Sequence, residues 1–455
     1  MANEQIGEAR LYIDGALTDA AGARTYDNIN PATEAVLGVT ADASLEDAEQ
    51  AVAAARRAFD ETDWPTDHKG RLKILREFAA AIEAAADSTL RPQIIAEVGQ
   101  PDMVTRGPGC DDPVAHLSWV LDTMDAFDWQ RELPQVTTQQ GILATGNTVV
   151  LKPAPDTPWT ATALGKIATE VGLPPGVFNV VAAKDPAEVG EFLCRDPRVD
   201  MVSFTGSTVV GKRIMAMASD TVKKVFLELG GKSALILLDD ANLDMALLSS
   251  LGVCYHAGQG CAITTRMLVH RSLYDKAVEQ LAPIFQGMPY GDPTDPQYMM
   301  GPAINRKQYD KILGMIADGV SEGARVVAGG GAGEMDKGFF IQPTLLADVH
   351  NDMRIARNEI FGPVLVMIPF EDDEDAIRIA NDSDFGLSGA IHSGDVNRAL
   401  AMARRIRTGT LMINGGGYYG PDAPFGGYKQ SGIGREMGIE GLLEYLEVKT
   451  VGVPA

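Results

Sequence analysis

A chain of 455 residues, 45% apolar and 22% charged, carries enough material for two or three domains with cores of their own. Its formal charge of −23 argues against nucleic acid or an anionic membrane as partner, because those need clustered Lys and Arg. No run approaches the ~18 uninterrupted apolar residues of a membrane helix, and Met1-Ala-Asn-Glu-Gln5 shows no basic-then-apolar leader.

Leu11-Tyr-Ile-Asp-Gly15 and Tyr26-Asp-Asn-Ile-Asn-Pro31 read as two extended pieces. Ser44-Leu-Glu-Asp47 opens a helix in capping-box fashion, with Asp in place of Glu, and apolar residues at helical spacing carry it to Phe59. A second helix is expected from Arg71 to Ala86, and a third from His116 to Phe127. From residue 146 strands and helices alternate. Strands are expected at 147–152, 178–182, 201–205, within 221–229 and at 233–238, with a helix at 160–171. Such alternation predicts a parallel, doubly wound sheet. A second α/β series follows Asp239, with the boundary near Gly230-Gly231.

The four cysteines, Cys110, Cys194, Cys254 and Cys261, contain no Cys-x-x-Cys, and the six histidines show no ligand spacing. No disulfide framework and no metal site is expected, and a reducing cytoplasm is the natural setting. Cys261 stands apart. It lies in Gly258-Gln-Gly-Cys261-Ala-Ile-Thr-Thr-Arg266, where glycines allow close backbone approach and the following Met267-Leu268-Val269 reads as a buried anchor. Neighbouring N–H groups can serve an oxyanion. Glu228, in the separate Leu227-Glu-Leu-Gly-Gly-Lys232 stretch, is a carboxylate able to activate a water or the thiol. A buried structural cysteine is the plain alternative for a lone Cys; the pairing of the two motifs favours a nucleophile.

Phe204-Thr205-Gly206-Ser207-Thr-Val-Val-Gly211 follows a strand and opens a helix, a geometry that presents N–H groups to an anion, although its spacing is not that of the usual dinucleotide fingerprint. Lys152-Pro153 ends a parallel strand and would face the ligand crevice. Asn358-Glu359-Ile-Phe361-Gly-Pro363 pairs an acid suited to ribose hydroxyls with a ring suited to a flat heterocycle. Each has a structural alternative: a helix cap, a solvated lysine, a core Phe.

Together with Pro424-Phe-Gly-Gly-Tyr-Lys-Gln-Ser-Gly432, these six motifs stand in the order seen in the aldehyde dehydrogenase superfamily, and the resemblance covers nearly the whole chain. It implies an α/β fold with a doubly wound cofactor domain (1–229), an α/β catalytic domain (230–435) and a C-terminal segment (436–455) with an oligomerisation strand at Val448–Val453. It implies oxidation of a small-molecule aldehyde to the acid through a cysteine thiohemiacetal and thioester. Cys261 resembles the nucleophile, Glu228 the base that hydrolyses the thioester, and Glu436 part of a proton relay. Lys152, Pro153, Phe204, Thr205, Gly206, Ser207, Leu229, Gly230, Glu359 and Phe361 resemble cofactor contacts, and the glycines after Glu228 are expected to let that turn move. A homo-dimer or homo-tetramer is implied.

Two departures stand out. The family's Lys-Pro-Ala-Glu is here Lys152-Pro-Ala-Pro-Asp156, so Asp156 is the candidate substitute for the ribose acid; NAD is favoured and NADP stays open. The family's Pro-Trp-Asn-Phe-Pro segment, whose Asn serves the oxyanion, is absent from 131–147, with a deletion of roughly a strand plus a helix near 141. An impaired enzyme is expected, unless Gln139 or Gln140 supplies the donor. The competing readings are a non-catalytic binding protein on the same fold and a cofactor-free thioester hydrolase.

Overall fold

Local signals set most element starts. In the computed structural model, which describes residues 7–127, 145–417 and 420–449, Ser44 and Asp47 close the expected capping box. The Asp47 N–H donates to Ser44 Oγ (3.4 Å) and the Ser44 N–H to Asp47 Oδ2 (2.8 Å). The helix runs Leu45–Asp60 and buries Ala48, Ala51, Val52 and Ala55, the stripe a 3.6-residue period dictates. The next two expected helices span His68–Ala85 and Asp111–Asp125. Each starts earlier than the apolar pattern alone indicates. Asp67 caps the first through the Gly70 N–H (3.0 Å), and Asp111 and Asp112 sit in the first turn of the second, where the helix dipole favours acids.

Strands are numbered in chain order. β1 (Leu11–Ile13) and β2 (Ala16–Thr18) form one hairpin, and β3 (Thr25–Ile29) and β4 (Val36–Ala41) another. β5 (Val149–Leu151) and β6 (Phe178–Val180) are parallel, and β1 joins β6 antiparallel through Tyr12 and Val180, giving the order β2-β1-β6-β5. β7 (Met201–Thr205) and β8 (Lys224–Glu228) are also parallel, with Thr205 opposite Glu228. Helices Pro158–Glu170, Pro186–Arg195 and Thr208–Ala218 link these strands, so the expected alternation is met.

β9 (Ser233–Leu237), β10 (Thr264–His270), β11 (Arg325–Ala328), β12 (Thr344–Ala347), β13 (Val364–Phe370), β15 (Gly389–His392) and β16 (Met412–Ile413) form a seven-stranded sheet. Its order is β11-β12-β13-β10-β9-β15-β16, parallel except at β11, and β14 (Phe385–Gly386) lies outside it. β9, β10 and β13 read as near-continuous apolar runs because both faces are covered: Leu235, Leu237, Met267, Leu268, Val269 and Leu365 have no exposed surface. β17 (Tyr428–Lys429) pairs with β14, and β18 (Gly432–Ile433) pairs with β8. The chain thus returns to the β7–β8 sheet before residue 436, earlier than the expected third segment begins. The described element of that segment is the helix Gly438–Leu443. Val448 and Lys449 lie in no strand, with Val448 83% exposed; the rest of the expected oligomerisation strand lies outside the described residues.

Residues 131–144, which hold most of the stretch read as carrying a deletion, and Gln139 and Gln140 with it, also lie outside the described residues. Their flanks are informative. Among the described residues, no strand pairs with the outer edge of β5 or of β7. Ser203 and Thr205 of β7 are exposed and β5 is half-buried throughout, whereas an interior strand of a doubly wound sheet is covered on both faces.

Candidate active site

Glu228 ends β8 and Ser207 follows β7, so both stand at carboxyl ends, where open parallel sheets bind ligands. Cys261, the Gly230-Gly231 turn and Phe361 instead precede β10, β9 and β13. The site therefore lies between the carboxyl ends of β7 and β8 and the amino ends of the larger sheet's central strands.

Cys261 is held by a run of left-handed backbone: His256 (φ 48°), Ala257 (φ 52°) and Gly258 (φ 70°). Two consecutive non-glycine residues there are costly, on the order of 1–3 kcal/mol each, and persist only where the surroundings over-determine them. The surroundings do. The His256 N–H donates to Met299 O (3.0 Å). Gln259 donates from Nε2 to Pro302 O (3.0 Å) and accepts at Oε1 from the Ile304 N–H (2.8 Å). A Cβ on Gly258 would stand 2.1 Å from Gly362 O, so only glycine lets the cysteine loop press against the segment carrying Glu359 and Phe361. Cys261 is a free, partly exposed thiol. Burial, then the charge of Glu228, pushes it up to about 11, while the N–H groups of Cys261 and Ala262 pull the other way. Cys254, by contrast, is fully buried at about 12, the structural cysteine of the pair.

Glu228 is 3% exposed and neither carboxyl oxygen has a hydrogen-bond partner. Burial, then the charge of Glu436, raises it to about 8, with Arg435 opposing. A buried carboxyl without partners is costly. Glu436 is itself raised by burial; its backbone bridges Phe425 (2.6 and 2.7 Å) and so places it beside Gly426, where an added Cβ would lie 2.8 Å from Glu228 Oε1.

The turn after Glu228 is not loose, contrary to the sequence expectation. The Leu229 N–H donates to Ser431 O (2.9 Å) and Ser431 Oγ to Gly230 O (2.7 Å). The Gly231 N–H donates to Glu359 Oε1 (3.0 Å), and a Cβ on Gly230 would sit 2.3 Å from Glu359 Oε2. These glycines serve close approach: they seat Glu359 over the turn and bring Gly231 against Cys261 O. Burial raises Glu359, opposed by that N–H and by Lys311 and Lys232. Phe361 is left-handed (φ 57°), with Gln308 Nε2 donating to Ile360 O (2.9 Å) and Phe361 O (2.8 Å).

A cleft of about 380 Å³ opens between Ser207, Thr208, Lys311, Asn358, Glu359 and Phe385, within the size range of cofactor sites. Ser207 caps the helix Thr208–Ala218 through the Val210 N–H (3.4 Å), and Thr205, Gly206 and Ser207 are exposed. Phe204 packs under Gly206, where a Cβ would meet its ring at 2.5 Å. The helix start faces this cleft with Glu359 opposite, a donor-and-acceptor set that fits a pyrophosphate joined to a ribose. Lys152 lies apart, donating from Nζ to Pro153 O (2.7 Å), with burial lowering its pKa. Asp156 is engaged by Asn305 Nδ2 (3.3 Å) rather than by Lys152. Lys311, Gln259 and Gln308 were assigned no role from sequence. Gln259 lies within Gly258–Arg266, where its type alone gives no sign of its role, and the other two lie on an ordinary amphipathic helix, Arg306–Ser321, that gives no signal. Among the described residues no group of three His, Cys, Asp or Glu could hold a metal, and no helix is long and apolar enough to cross a membrane.

The profile of the aldehyde dehydrogenase family matches residues 17–142 and 135–451. The chain belongs to the aldehyde dehydrogenase family. It is 41% identical over 472 aligned positions to a 3-succinoylsemialdehyde-pyridine dehydrogenase of a Pseudomonas species, covering 97% of this chain and 98% of that one. It is 36% identical to a mitochondrial aldehyde dehydrogenase of Leishmania tarentolae, covering 98% and 94%. Among solved structures, the NAD+ complex of an aldehyde dehydrogenase from Bacillus cereus superposes with TM-score 0.93 at 34% identity over 98% of this chain and 96% of that one. Betaine aldehyde dehydrogenase from Staphylococcus aureus with NAD+ gives 0.91 at 34%, over 96% and 93%. The chain is thus an oxidoreductase of this family, on the expected α/β fold.

Proposed function

We propose that Cys261 is the nucleophile that takes up the aldehyde, that Glu228 is the base that releases the acid, and that the chain turns over slowly because a strand of its cofactor sheet is missing. The observation that carries the reading is the convergence of an orphaned buried carboxyl, a partly exposed thiol and the Glu359 cleft on one turn, Glu228 to Gly231.

Sulfur attack on the carbonyl carbon forms the thiohemiacetal, and the Cys261 and Ala262 N–H groups are the nearest donors for the oxygen that gains charge. NAD, held by the Ser207 helix start and Glu359, supplies the hydride acceptor. Glu228 and Cys261 oppose each other's ionisation, so the thiolate forms most readily while Glu228 keeps its proton. Once sulfur is acylated that repulsion ends. Ionised Glu228 then takes a proton from water as the water attacks the thioester, and Glu436 stands next in line to receive it.

The missing segment rests on several supports. The family match comes in two pieces that break between 135 and 142, and the alignment to the Pseudomonas relative needs 472 positions for a chain of 455. β5 and β7 each lack an outer partner among the described residues. A strand between them would complete a doubly wound sheet. The domain division falls at Gly230-Gly231, where the chain leaves β8 for β9 in another sheet. Lys152, near the open edge, is the contact for the adenosine ribose, with NADP open because Asp156 is turned to Asn305. A homo-dimer or tetramer in the cytoplasm completes the reading.

Reduced-nicotinamide absorbance with a panel of aldehydes, NAD and NADP, for wild type and Cys261→Ala, tests the chemistry; a signal that survives the substitution refutes it. Restoring the absent segment should raise turnover about 10²–10³-fold, the usual worth of an oxyanion donor, and unchanged turnover would remove the impairment from the reading.

A further inference from the structure

A second cavity, of about 20 Å³, shares Phe385 with the cleft and is lined by Lys232, Ser233, Arg266, Arg407 and Thr408 among others. A cavity of this size admits one or two water-sized bodies. Lys232 is 1% exposed and its Nζ has no hydrogen-bond partner. Ser233 Oγ and Thr408 Oγ1 are buried and likewise unpartnered.

Arg266, 2% exposed, spends its donors on neutral acceptors only: Lys232 O (2.9 Å), Asn351 Oδ1 (2.7 Å), Ile379 O (3.1 Å) and Ala380 O (3.2 Å). No Asp or Glu lines the cavity. Two buried cations and two orphan hydroxyl donors thus share one small space with no counter-charge in it. The nearby acids act from outside the cavity: Glu359, which accepts from the Gly231 N–H, attracts Lys232, and Asp382, paired with Arg357, attracts Arg266.

Buried charges are ordinarily paired, and an unpaired one costs several kcal/mol. Water would satisfy the hydroxyls but bring no counter-charge into the cavity. Lys232, Arg266 and Arg407 have only donors to offer, and the Ser233 and Thr408 hydroxyls can donate as well as accept, so a guest that accepts hydrogen bonds and carries negative charge complements this lining. The volume restricts it to a single small ion.

We infer that this cavity is a binding site for a halide-sized inorganic monoanion, held by Lys232, Ser233, Arg266 and Thr408 beneath the catalytic turn. The inference is independent of the catalytic assignment, since it needs neither Cys261 nor Glu228 to work. Occupancy fixes Lys232 as an ammonium, against the burial that lowers it to about 7, and braces the backbone that seats Glu359.

The test uses the full chain in chloride-free gluconate buffer at constant ionic strength. Chloride added to wild type should raise the melting temperature saturably and broaden the ³⁵Cl resonance, and bromide should reverse the broadening. Lys232→Met, isosteric with the stem, should lose both responses. Should that variant fail to fold, Thr408→Val, which removes one donor, should weaken chloride binding severalfold. Crystals of wild type grown with bromide should show an anomalous peak within hydrogen-bond distance of Lys232 Nζ. Chloride responses equal in wild type and variants, or a cavity holding only water at high bromide, would overturn the inference.

Discussion

Glu228→Gln tests both halves of the catalytic reading at once. Glu228 moves from an ordinary 4.5 to about 8 in the fold, so between those values folding takes up a proton. By linkage the stability of the native state falls as pH rises through that window, and the penalty is complete only above pH 8. Each unit is about 1.4 kcal/mol. The wild type therefore loses about 2.5 kcal/mol between pH 6 and pH 9 from this group alone, and about 2 kcal/mol once partial sharing of the charge with Glu436 is allowed. The glutamine carries no such dependence. The variant should gain stability over wild type at both pH values, with the larger gain at pH 9. Paired urea titrations at pH 6 and pH 9 measure this, and an equal gain at both would refute the raised carboxyl. In the same variant, thioester hydrolysis should slow by about 10²–10⁴. Mixing with aldehyde and NAD should then give one equivalent of reduced nicotinamide followed by a stall, and steady turnover would remove Glu228 from the role of base.

Gly258→Ala places a Cβ 2.1 Å from Gly362 O at φ 70°; a loss of about 2 kcal/mol or more in melting studies and slower thiol alkylation at Cys261 are expected. Gln308→Leu frees the carbonyls of Ile360 and Phe361 and should raise the KM for NAD several-fold with less effect on Cys261 alkylation. Wild-type thiol alkylation itself should climb about tenfold per pH unit from pH 7 to 10, since burial and Glu228 hold the thiol near 11 and only the thiolate reacts. Ser44→Ala should cost about 1 kcal/mol through the lost cap, with kinetics unchanged.

Much of this architecture is legible because the decisive signals are local. Met201–Thr205 is found residue for residue, since a Gly-Ser helix start closes it on one side. Ser44 and Asp47 announce their helix through side-chain chemistry within a single turn. What escapes the sequence depends on distant pairing. β1 joins β6 although some 165 residues separate them, and β13 inserts beside β10 ahead of β12. No period or turn residue encodes such choices. The site shows the same division. Cys261, Glu228 and Glu359 are visible as reactive types beside glycines, whereas the left-handed His256 and Ala257 are not, because neither residue favours that conformation and only Gln259 and the Met299 carbonyl hold it. The glycines after Glu228 were legible as glycines but not in their purpose: a tight seat for Glu359 and a mobile hinge look alike in sequence.

The placement of the site between the strand ends of two sheets decides what the proposed loss of a strand would damage. The thiol, its N–H donors and Glu359 all precede strands of the seven-stranded sheet, whose central strands are largely buried. Glu228 belongs to β8, paired on both sides by β7 and β18, and so keeps its own register. Among the described residues no strand pairs with the outer edges of β5 and β7, which lead into Lys152 and the Ser207 helix start. On the proposed reading, loss of the strand would fall on the grip on the cofactor and on the oxyanion donor, and would spare Cys261 and Glu228. The two activities should separate accordingly: Cys261 acylation and Glu228-dependent deacylation of an activated ester, which need no nicotinamide, survive far better than NAD-dependent aldehyde oxidation. An ester turnover suppressed as deeply as the oxidation would place the damage in the catalytic sheet instead.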